Sequence, residues 1–288
     1  LRTLVEDGHV DGWDDPRMPT LAGLRRRGVT PEAIRAFMKT IGVSKVNSMI
    51  DLTVLENHIR DHLNKITLRR MAVLDPVKMV IENFPEDLQE MMEAVNNPED
   101  PDAGMRQIPF EREVWIDRDD FRMDPPRKWR RLAPDAEVRL RYGYCVKVKE
   151  VITDPDSGEV TEIRCDYDPE TSKGRQPEGR KVRGIIHWVP ASCAAQLPVT
   201  LYSPLFSIEN PDDPPEGQEF TDFIDPGSRV ETTAFCEPAL AQAAGGDRFQ
   251  FERVGYFHVD PARSSEESPH FVRIAALRDS WAKKEKNS

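Results

Sequence analysis

Residues 126–149 read PRKWRRLAPDAEVRLRYGYCVKVK, and the second half of this stretch alternates between apolar and polar or small side chains. The apolar and aromatic side chains occupy the even positions Val138, Leu140, Tyr142, Tyr144, Val146 and Val148. A period of two is typical of a half-buried β-strand, so the pattern predicts one strand over residues 137–152. Because side chains two positions apart share a face, Arg139 and Arg141 are predicted to project together, ~6.6 Å apart.

The cations of this stretch indicate a surface that reads RNA. The predicted spacing of Arg139 and Arg141 suits successive nucleotides of an extended strand. Just before the strand, one aromatic ring, Trp129, stands among the cations Arg127, Lys128, Arg130 and Arg131. Cations mixed with an aromatic ring are typical of sites for unpaired bases. The alternative is that this charged face is only the solvated side of a sheet.

Charge is segregated along the chain, which favours the RNA-reading interpretation. Residues 124–149 carry eight Lys and Arg against three Asp and Glu, whereas the whole chain has a net charge of −11. Residues 83–102 carry seven acidic side chains and no basic one. Segregation of this kind focuses positive potential at one place, while the remaining surface repels polyanions.

Length and composition predict a soluble protein of two or three domains. The 288 residues are enough for several domains, each with its own core. No apolar run approaches the ~18–20 residues that span a bilayer, and no signal peptide is present, so we expect a cytoplasmic protein without a membrane partner. The first residue is Leu1 rather than Met, which predicts a segment cut from a longer protein.

Cysteines, histidines and known motifs predict neither a metal site nor a catalytic site. The four cysteines lie far apart, without Cys-x-x-Cys spacing, and are expected to be free thiols. His58 and His62 stand four apart on a predicted helix, but no third ligand accompanies them at helical spacing. Phosphate-binding glycine loops and the usual hydrolase motifs are absent from the sequence. We therefore expect a binding module without catalytic residues.

The first 65 residues predict a helical subdomain. Thr20 can start one helix, and Thr30 followed by Pro31 can start a second, with a glycine ending each. An apolar stripe with steps of three and four residues predicts a third helix over residues 51–64.

After residue 71 the spacing changes to a period of two, interrupted by Pro and Gly. The predicted strands are 71–80, 106–116, 137–152, 160–167, 182–189, 199–208, 229–236, 248–259 and 270–277. Many strands joined by turns, without crossover helices, predict antiparallel barrels. Only residues 238–244 have a helical pattern in this half.

Several short motifs resemble the bacterial glutaminyl-tRNA synthetases over nearly the whole chain. The matching runs are GWDDPRMPT (12–20), GLRRRG (23–28), RQIPF (106–110), VWIDR (114–118), IHWV (186–189), FQFER (249–253) and LRDSWAK (277–283). The first two runs are similar to glutamyl-tRNA synthetases of the archaeal and eukaryotic type as well. The run FQFERVGYF, together with the terminal LRDSWAK, favours the glutaminyl type.

The resemblance implies a mainly β fold in which a helical connector precedes two antiparallel, ribosomal-protein-like barrels that bind the anticodon. The implied parts are a connector over 1–67, a proximal barrel over 68–123 and 205–276, a distal barrel over 124–204, and a tail over 277–288. A proximal barrel built from two separate pieces would bring Gln250 next to Arg69.

The resemblance also implies roles for individual residues. Arg69 and Gln250 match the readers of the middle anticodon base, a uridine, and Arg131 matches the reader of the third base, a guanine. Arg139 and Arg141 match the pair at the first base. Arginine and glutamine suit these roles because both can form two hydrogen bonds with one base edge. Weaker expectations are Lys128 and Arg130 at the anticodon, and Asn64, Lys147 and Lys149 at the tRNA backbone.

The protein implied by the resemblance is an ATP-dependent ligase that attaches glutamine to tRNA. Its Rossmann catalytic domain, with the ATP, Mg²⁺ and glutamine sites, would lie upstream, and none of it is expected in this chain. The chain itself would need no cofactor, would bind glutamine tRNA, and would be monomeric. The alternatives are a glutamyl enzyme with the same barrels, a non-catalytic ribosomal RNA-binding barrel protein, and an acidic scaffold that binds no RNA.

Overall fold

The computed structural model describes residues 1–42, 50–265 and 267–277. Helices come first, and mostly β-strands follow. The helices are α1 (Arg2–Glu6), α2 (Leu21–Arg26), α3 (Pro31–Ile41) and α4 (Leu52–Ile66). The strands are β1 (Leu68–Arg70), β2 (Ala72–Val73), β3 (Pro76–Ile81), β4 (Glu90–Val95), β5 (Met105–Phe110), β6 (Glu113–Asp117), β7 (Glu137–Leu140), β8 (Cys145–Thr153), β9 (Val160–Asp168), β10 (Ile185–Ile186), β11 (Val189–Pro190), β12 (Ala195–Tyr202), β13 (Arg229–Cys236), β14 (Arg248–Phe251), β15 (Gly255–Val259) and β16 (Phe271–Ala276).

Short 3₁₀ helices occupy several of the connections. They span Pro101–Ala103, Arg118–Asp120, Pro169–Gly174, Phe220–Phe223, Pro226–Ser228 and Pro238–Gln242. The last of these replaces the helix predicted over residues 238–244. Across the described ranges, no helix combines the length and apolar character needed to cross a membrane.

The predicted helix starts are confirmed. The Thr20 side chain accepts a hydrogen bond from the Gly23 amide at 2.9 Å, and Thr30 caps α3 ahead of Pro31. These side chains satisfy amides that the first helical turn leaves unpaired, which fixes where each helix begins. The third predicted helix corresponds to α4, which follows its N-cap Asp51.

One seven-stranded sheet curls into a barrel because its two edge strands are consecutive in the chain. Its strand order is β1-β14-β15-β16-β12-β13-β2. Only Met71 separates β1 from β2, so the two edges lie within about 7 Å of each other. Phe251, Phe257 and Phe271 are fully buried in its interior. We call this sheet the first barrel.

The second seven-stranded sheet curls for the same reason. Its order is β10-β7-β8-β9-β3-β6-β11, and only His187 and Trp188 separate the two edge strands. The buried Trp188 packs against Phe110, with 5.0 Å between the ring centroids. Phe110 belongs to the separate β4–β5 ribbon, so this ribbon contributes to the core of the second barrel.

The mainly β fold with a helical start and two barrels is confirmed, but the sheets group the strands differently from the predicted pieces. β3 and β6, expected to share a barrel with residues 205–276, pair within the second barrel. β12, expected in the distal piece, pairs with β13 and β16 in the first barrel. Each barrel also contains two parallel pairs. The predicted tail lies outside the described residues apart from Leu277.

The strand predicted over residues 137–152 was wrong, because the segment forms a hairpin. β7 ends at Leu140, β8 begins at Cys145, and Val138 pairs with Val146. Tyr142 lies in the left-handed region of the backbone, with a φ of 66°, and reverses the chain. Paired residues point to the same face, so even positions face inward on both strands. The alternation therefore continues through the turn without a change of phase.

The predicted strand over residues 248–259 is also a hairpin. Phe249 of β14 pairs with Phe257 of β15, so odd positions face inward on both strands. No strand was predicted over β4, because its residues lie in the acidic segment.

The helical subdomain covers the outer face of the first barrel. Ala33 of α3 and Leu55, Ile59 and Leu63 of α4 pack against Tyr256 and Ile274. Strand β15 is therefore buried on both sides, along its whole length. The Gly28 carbonyl accepts a hydrogen bond from Arg248 Nε at 2.9 Å, and a Cβ at Gly28 would lie 2.5 Å from the His258 ring.

Replacing Gly28 with alanine should destabilise the chain by about 2–5 kcal/mol, because the Cβ meets His258 and the residue has a left-handed φ of 91°. Gly104→Ala is the matched control, since Gly104 has a φ of 67° but open space around its Cβ; it should cost only about 1–2 kcal/mol. Urea unfolding of both variants measures the difference. Equal losses would show that the contact between Gly28 and His258 does not matter.

Candidate nucleic-acid interface

A cleft of about 410 Å³ opens where the two barrels meet the end of α4. Four residues that the sequence analysis singled out line it: Asn64, Arg69, Arg141 and Gln250. Tyr142 and Glu252 add further polar atoms to its wall. The fold thus brings together hydrogen-bonding side chains from α4, from the β7–β8 turn and from two paired strands of the first barrel.

Arg69 and Gln250 are neighbours, as the two-piece barrel predicted. They are direct partners in the parallel register of β1 and β14. Arg69 is buried, and its Nη2 donates to the Asn64 side-chain oxygen at 2.7 Å and to the Asn64 carbonyl at 2.9 Å. Burial lowers the pKa of Arg69, but an arginine stays charged. Its charge at the C-terminal end of α4 complements the helix dipole.

The β7–β8 turn carries Arg141 and Tyr142 into the cleft. The Tyr142 hydroxyl donates to the Glu252 carboxylate at 2.8 Å, and Arg141 forms an ion pair with the same carboxylate. The Arg141 guanidinium also lies 5.1 Å from the centroid of the Tyr142 ring. Burial, together with the charge of Glu252, raises the pKa of Tyr142, so its hydroxyl stays protonated as a donor.

A buried arginine joins Glu252 to a second buried carboxylate. Arg106 on β5 donates to Glu237 through Nε and Nη2, both at 2.8 Å, and to Glu252 at 3.3 Å. Each carboxylate is only 3% exposed. Burial alone would lower the pKa of Arg106, but its hydrogen bonds to Glu237 and the charges of both carboxylates raise it overall. The buried charges therefore compensate each other.

Arg139 lies apart from the cleft, contrary to the prediction that it shares a face with Arg141. Arg139 is 7% exposed, and its Nη1 donates to the carbonyls of Gly143 and Thr171 at 3.1 and 2.8 Å. Its Nη2 donates to the Arg175 carbonyl. The separation follows from the hairpin, because Arg139 belongs to β7 whereas Arg141 belongs to the turn.

Two arginines lie against the partly buried ring of Trp129. The guanidinium groups of Arg122 and Arg131 lie 4.8 and 5.5 Å from its ring centroid. Its Nε1 donates to the Leu132 carbonyl at 2.8 Å. Arg131 also donates to the Asp119 carbonyl at 3.1 Å and lies 3.4 Å from the Asp120 carboxylate, yet its side chain remains 22% exposed.

Asp120 connects this region to the first barrel. Arg253, in the turn between β14 and β15, binds the buried Asp120 carboxylate through both Nη atoms, at 2.5 and 2.7 Å. Arg253 Nη1 also donates to His187 Nδ1 at 3.0 Å. Burial lowers the pKa of His187 to about 4, so the ring is neutral at pH 7 and can accept this bond.

The remaining predicted cations lie on the surface, outside the cleft. Lys128, Arg130, Lys147 and Lys149 are all exposed. Lys149 pairs with Glu82 at 2.9 Å and with Asp166 at 3.3 Å. Lys147 forms no ion pair with any residue that the structure describes.

The histidine pair on α4 has structural partners. His62 Nδ1 bonds the Thr30 hydroxyl and His58 Nε2 bonds the Thr40 hydroxyl, both at 2.9 Å. Within residues 1–42, 50–265 and 267–277, no group of three or more His, Cys, Asp or Glu side chains could hold a metal ion.

The interface also contains Tyr142, Glu252 and Arg253, which were not predicted from the sequence. Tyr142 was counted among the apolar and aromatic positions of one strand, because the turn leaves the alternation intact. Glu252 and Arg253 belong to the run FQFER, which marked the family resemblance but indicated no partner for either side chain. Their partners are 110 and 133 residues away in the chain, so no local pattern could have identified them.

Family models match three parts of the chain. A model described as tRNA synthetases class I (E and Q), anti-codon binding domain, matches residues 67–168, and a second with the same description matches residues 185–260. The catalytic-domain model of the same class matches residues 1–65. The segment predicted as a helical connector is therefore also matched by the catalytic-domain model.

Curated relatives agree with these matches. The glutamine–tRNA ligase of Rhodopirellula baltica is 54% identical over 283 residues, which are 98% of this chain and 47% of the relative. The corresponding ligases of Xanthomonas axonopodis pv. citri and Pseudomonas putida are 48% and 49% identical, over 98% of this chain and 49% of each relative. The chain thus spans about half the length of the curated relatives it matches. The chain belongs to the class I tRNA synthetases of the E and Q type.

Proposed function

We propose that this chain is the tRNA-binding part of a glutamine–tRNA ligase and that it recognises the anticodon of glutamine tRNA. The observation that carries the proposal is the cleft in which Arg69, Arg141 and Gln250 meet. These residues come from the regions that match anticodon-binding domains. Arginine and glutamine side chains fixed in one cleft can read base edges, whereas phosphate binding alone needs no such convergence.

The proposed roles follow the positions of the side chains. Arg69 and Gln250 would read the middle base, with Arg141 beside them at the first base. Arg131 would read the third base from outside the cleft. Arg139 would support the first-base site through the loop it binds, since its guanidinium is engaged with backbone carbonyls. Lys128, Arg130, Asn64, Lys147 and Lys149 would contribute the weaker contacts to the anticodon loop and backbone.

The E and Q description by itself fits a glutamyl enzyme equally well, but the curated relatives named above are glutamine–tRNA ligases. Their names favour glutamine tRNA as the partner. The proposal includes a cytoplasmic, monomeric enzyme whose remaining catalytic part supplies the sites for ATP and Mg²⁺.

Arg131→Ala should weaken binding of glutamine tRNA by about 1–3 kcal/mol, because a bidentate contact to the third-base guanine is lost. The same substitution should cost much less when that guanine is already replaced. Equilibrium binding of both proteins to both tRNAs, at two salt concentrations, measures the coupling. Strictly additive losses would remove Arg131 from the base readers.

Lys147→Ala should weaken tRNA binding alike for every anticodon and reduce the slope of log affinity against log salt by about one unit or less, because one phosphate contact is lost. Lys149→Ala is the matched control. Its cation is already paired with Glu82 and Asp166, so the slope should change less. An effect of Lys147→Ala on one anticodon alone would indicate base reading instead.

The 288-residue chain should not catalyse glutamine-dependent exchange between ATP and pyrophosphate, since only residues 1–65 match the catalytic domain. Labelled pyrophosphate incorporation measures this activity, with a full-length glutamine–tRNA ligase as the positive control. Sustained exchange by a preparation free of other ligases would mean that the chain contains an active site after all.

A further inference from the structure

A buried carboxylate forms part of the wall of a cleft that is proposed to bind a polyanion. Glu252 is 3% exposed and is contacted by side chains from two other elements, Arg106 of the β4–β5 ribbon and the turn residues Arg141 and Tyr142. A carboxylate here opposes the approach of phosphate groups, and burying it is costly unless cations compensate it. The negative charge of Glu252 therefore lowers the affinity of the cleft for a polyanion and needs another explanation.

Glu252 lies next to the proposed base-reading residues of both barrels. Gln250 is two positions earlier on the same segment, so both side chains line the cleft. Arg141 reaches the carboxylate from the second barrel, and Tyr142 does so through its hydroxyl. One carboxylate therefore fixes where two side chains of the second barrel stand relative to Gln250 of the first.

We propose that Glu252 is a positioning residue, which holds Arg141 and Tyr142 in the cleft and thereby sets the discrimination at the first and middle anticodon bases. The inference rests on the proposed function. A guanidinium held in an ion pair samples fewer orientations than a free one, and pre-organised donors discriminate between base edges better than mobile ones. The negative charge also limits the sequence-independent attraction to phosphates, so base contacts carry more of the selectivity.

The informative variant is Glu252→Gln, which keeps the size of the side chain and can still accept hydrogen bonds but removes the charge. The experiment measures the dissociation constants of the 288-residue chain for glutamine tRNA and for three tRNAs, each substituted at one anticodon base. The discrimination ratio at a base is the constant for the substituted tRNA divided by that for the native one.

Glu252→Gln should lower the ratios at the first and middle bases by about tenfold, while affinity for native tRNA changes by less than about threefold or improves. The ratio at the third base should stay the same, because Arg131 is held by Asp119 and Asp120 instead. A general folding defect would lower all three ratios together.

Two further variants separate positioning from stability. Asp15→Asn removes a buried carboxylate that binds Arg17 and does not line the cleft, and it should leave all three ratios unchanged even if it lowers the unfolding temperature. Tyr142→Phe removes only one donor to Glu252 and should lower the same two ratios by a smaller factor.

Unchanged ratios at the first and middle bases in Glu252→Gln and Tyr142→Phe would overturn the inference, and so would an equal loss at all three bases. In both cases the unaltered chain still discriminates, and the proposed function stands. If the unaltered chain shows no discrimination at any base, the proposed function fails and this inference fails with it.

Discussion

The hydrogen-bonded ion pairs between Arg106 and two buried carboxylates constrain most of this structure. Arg106 lies on the β4–β5 ribbon, whereas Glu237 and Glu252 follow strands of the first barrel. Removing one partner from a buried ionic cluster costs about 3–5 kcal/mol, because the remaining charge stays buried without compensation. Glu237 also accepts the amide of Met71, the residue at which the first barrel closes. The ribbon, the closure of the barrel and the wall of the cleft are therefore linked.

The two barrels share a core boundary, which explains why a cleft between them can have a defined shape. Met71 and Val73 point into the core of the second barrel, whereas Ala72 between them points into the first. Trp115 and Phe235 pack across the same boundary, with 5.0 Å between their ring centroids. Close packing of this kind resists sliding, because any shift would open voids in both cores.

Each arginine proposed to read a base already has a protein partner. Arg69 binds oxygens of Asn64, Arg131 lies against Asp120, and Arg141 pairs with Glu252. These partners reduce the positive field that a polyanion meets, in a chain whose net charge is already −11. In exchange, the side chains lose little conformational freedom when a base arrives. The arrangement suits selective recognition better than strong, unspecific attraction.

The sequence by itself determined the local features of this protein. Capping residues fixed the starts of α2 and α3, and a period of two identified most of the strands and the mainly β fold. The family resemblance anticipated that Arg69 and Gln250 would meet. The caps and the period of two are local signals, whereas the resemblance depends on several motifs together.

Only the tertiary structure decided where the chain turns and which distant charges meet. Alternation of apolar and polar residues indicates which face of a strand is buried. It cannot reveal a hairpin in which paired residues are both at even positions, as Val138 and Val146 are, because the alternation then continues through the turn. The sequence pattern therefore could not predict that Arg139 and Arg141 are separated. The position of Arg141 depends on Glu252, which follows a strand of the other barrel, and no local pattern encodes that contact. Such a pair requires the two barrels to pack against each other, because its members lie far apart in the chain.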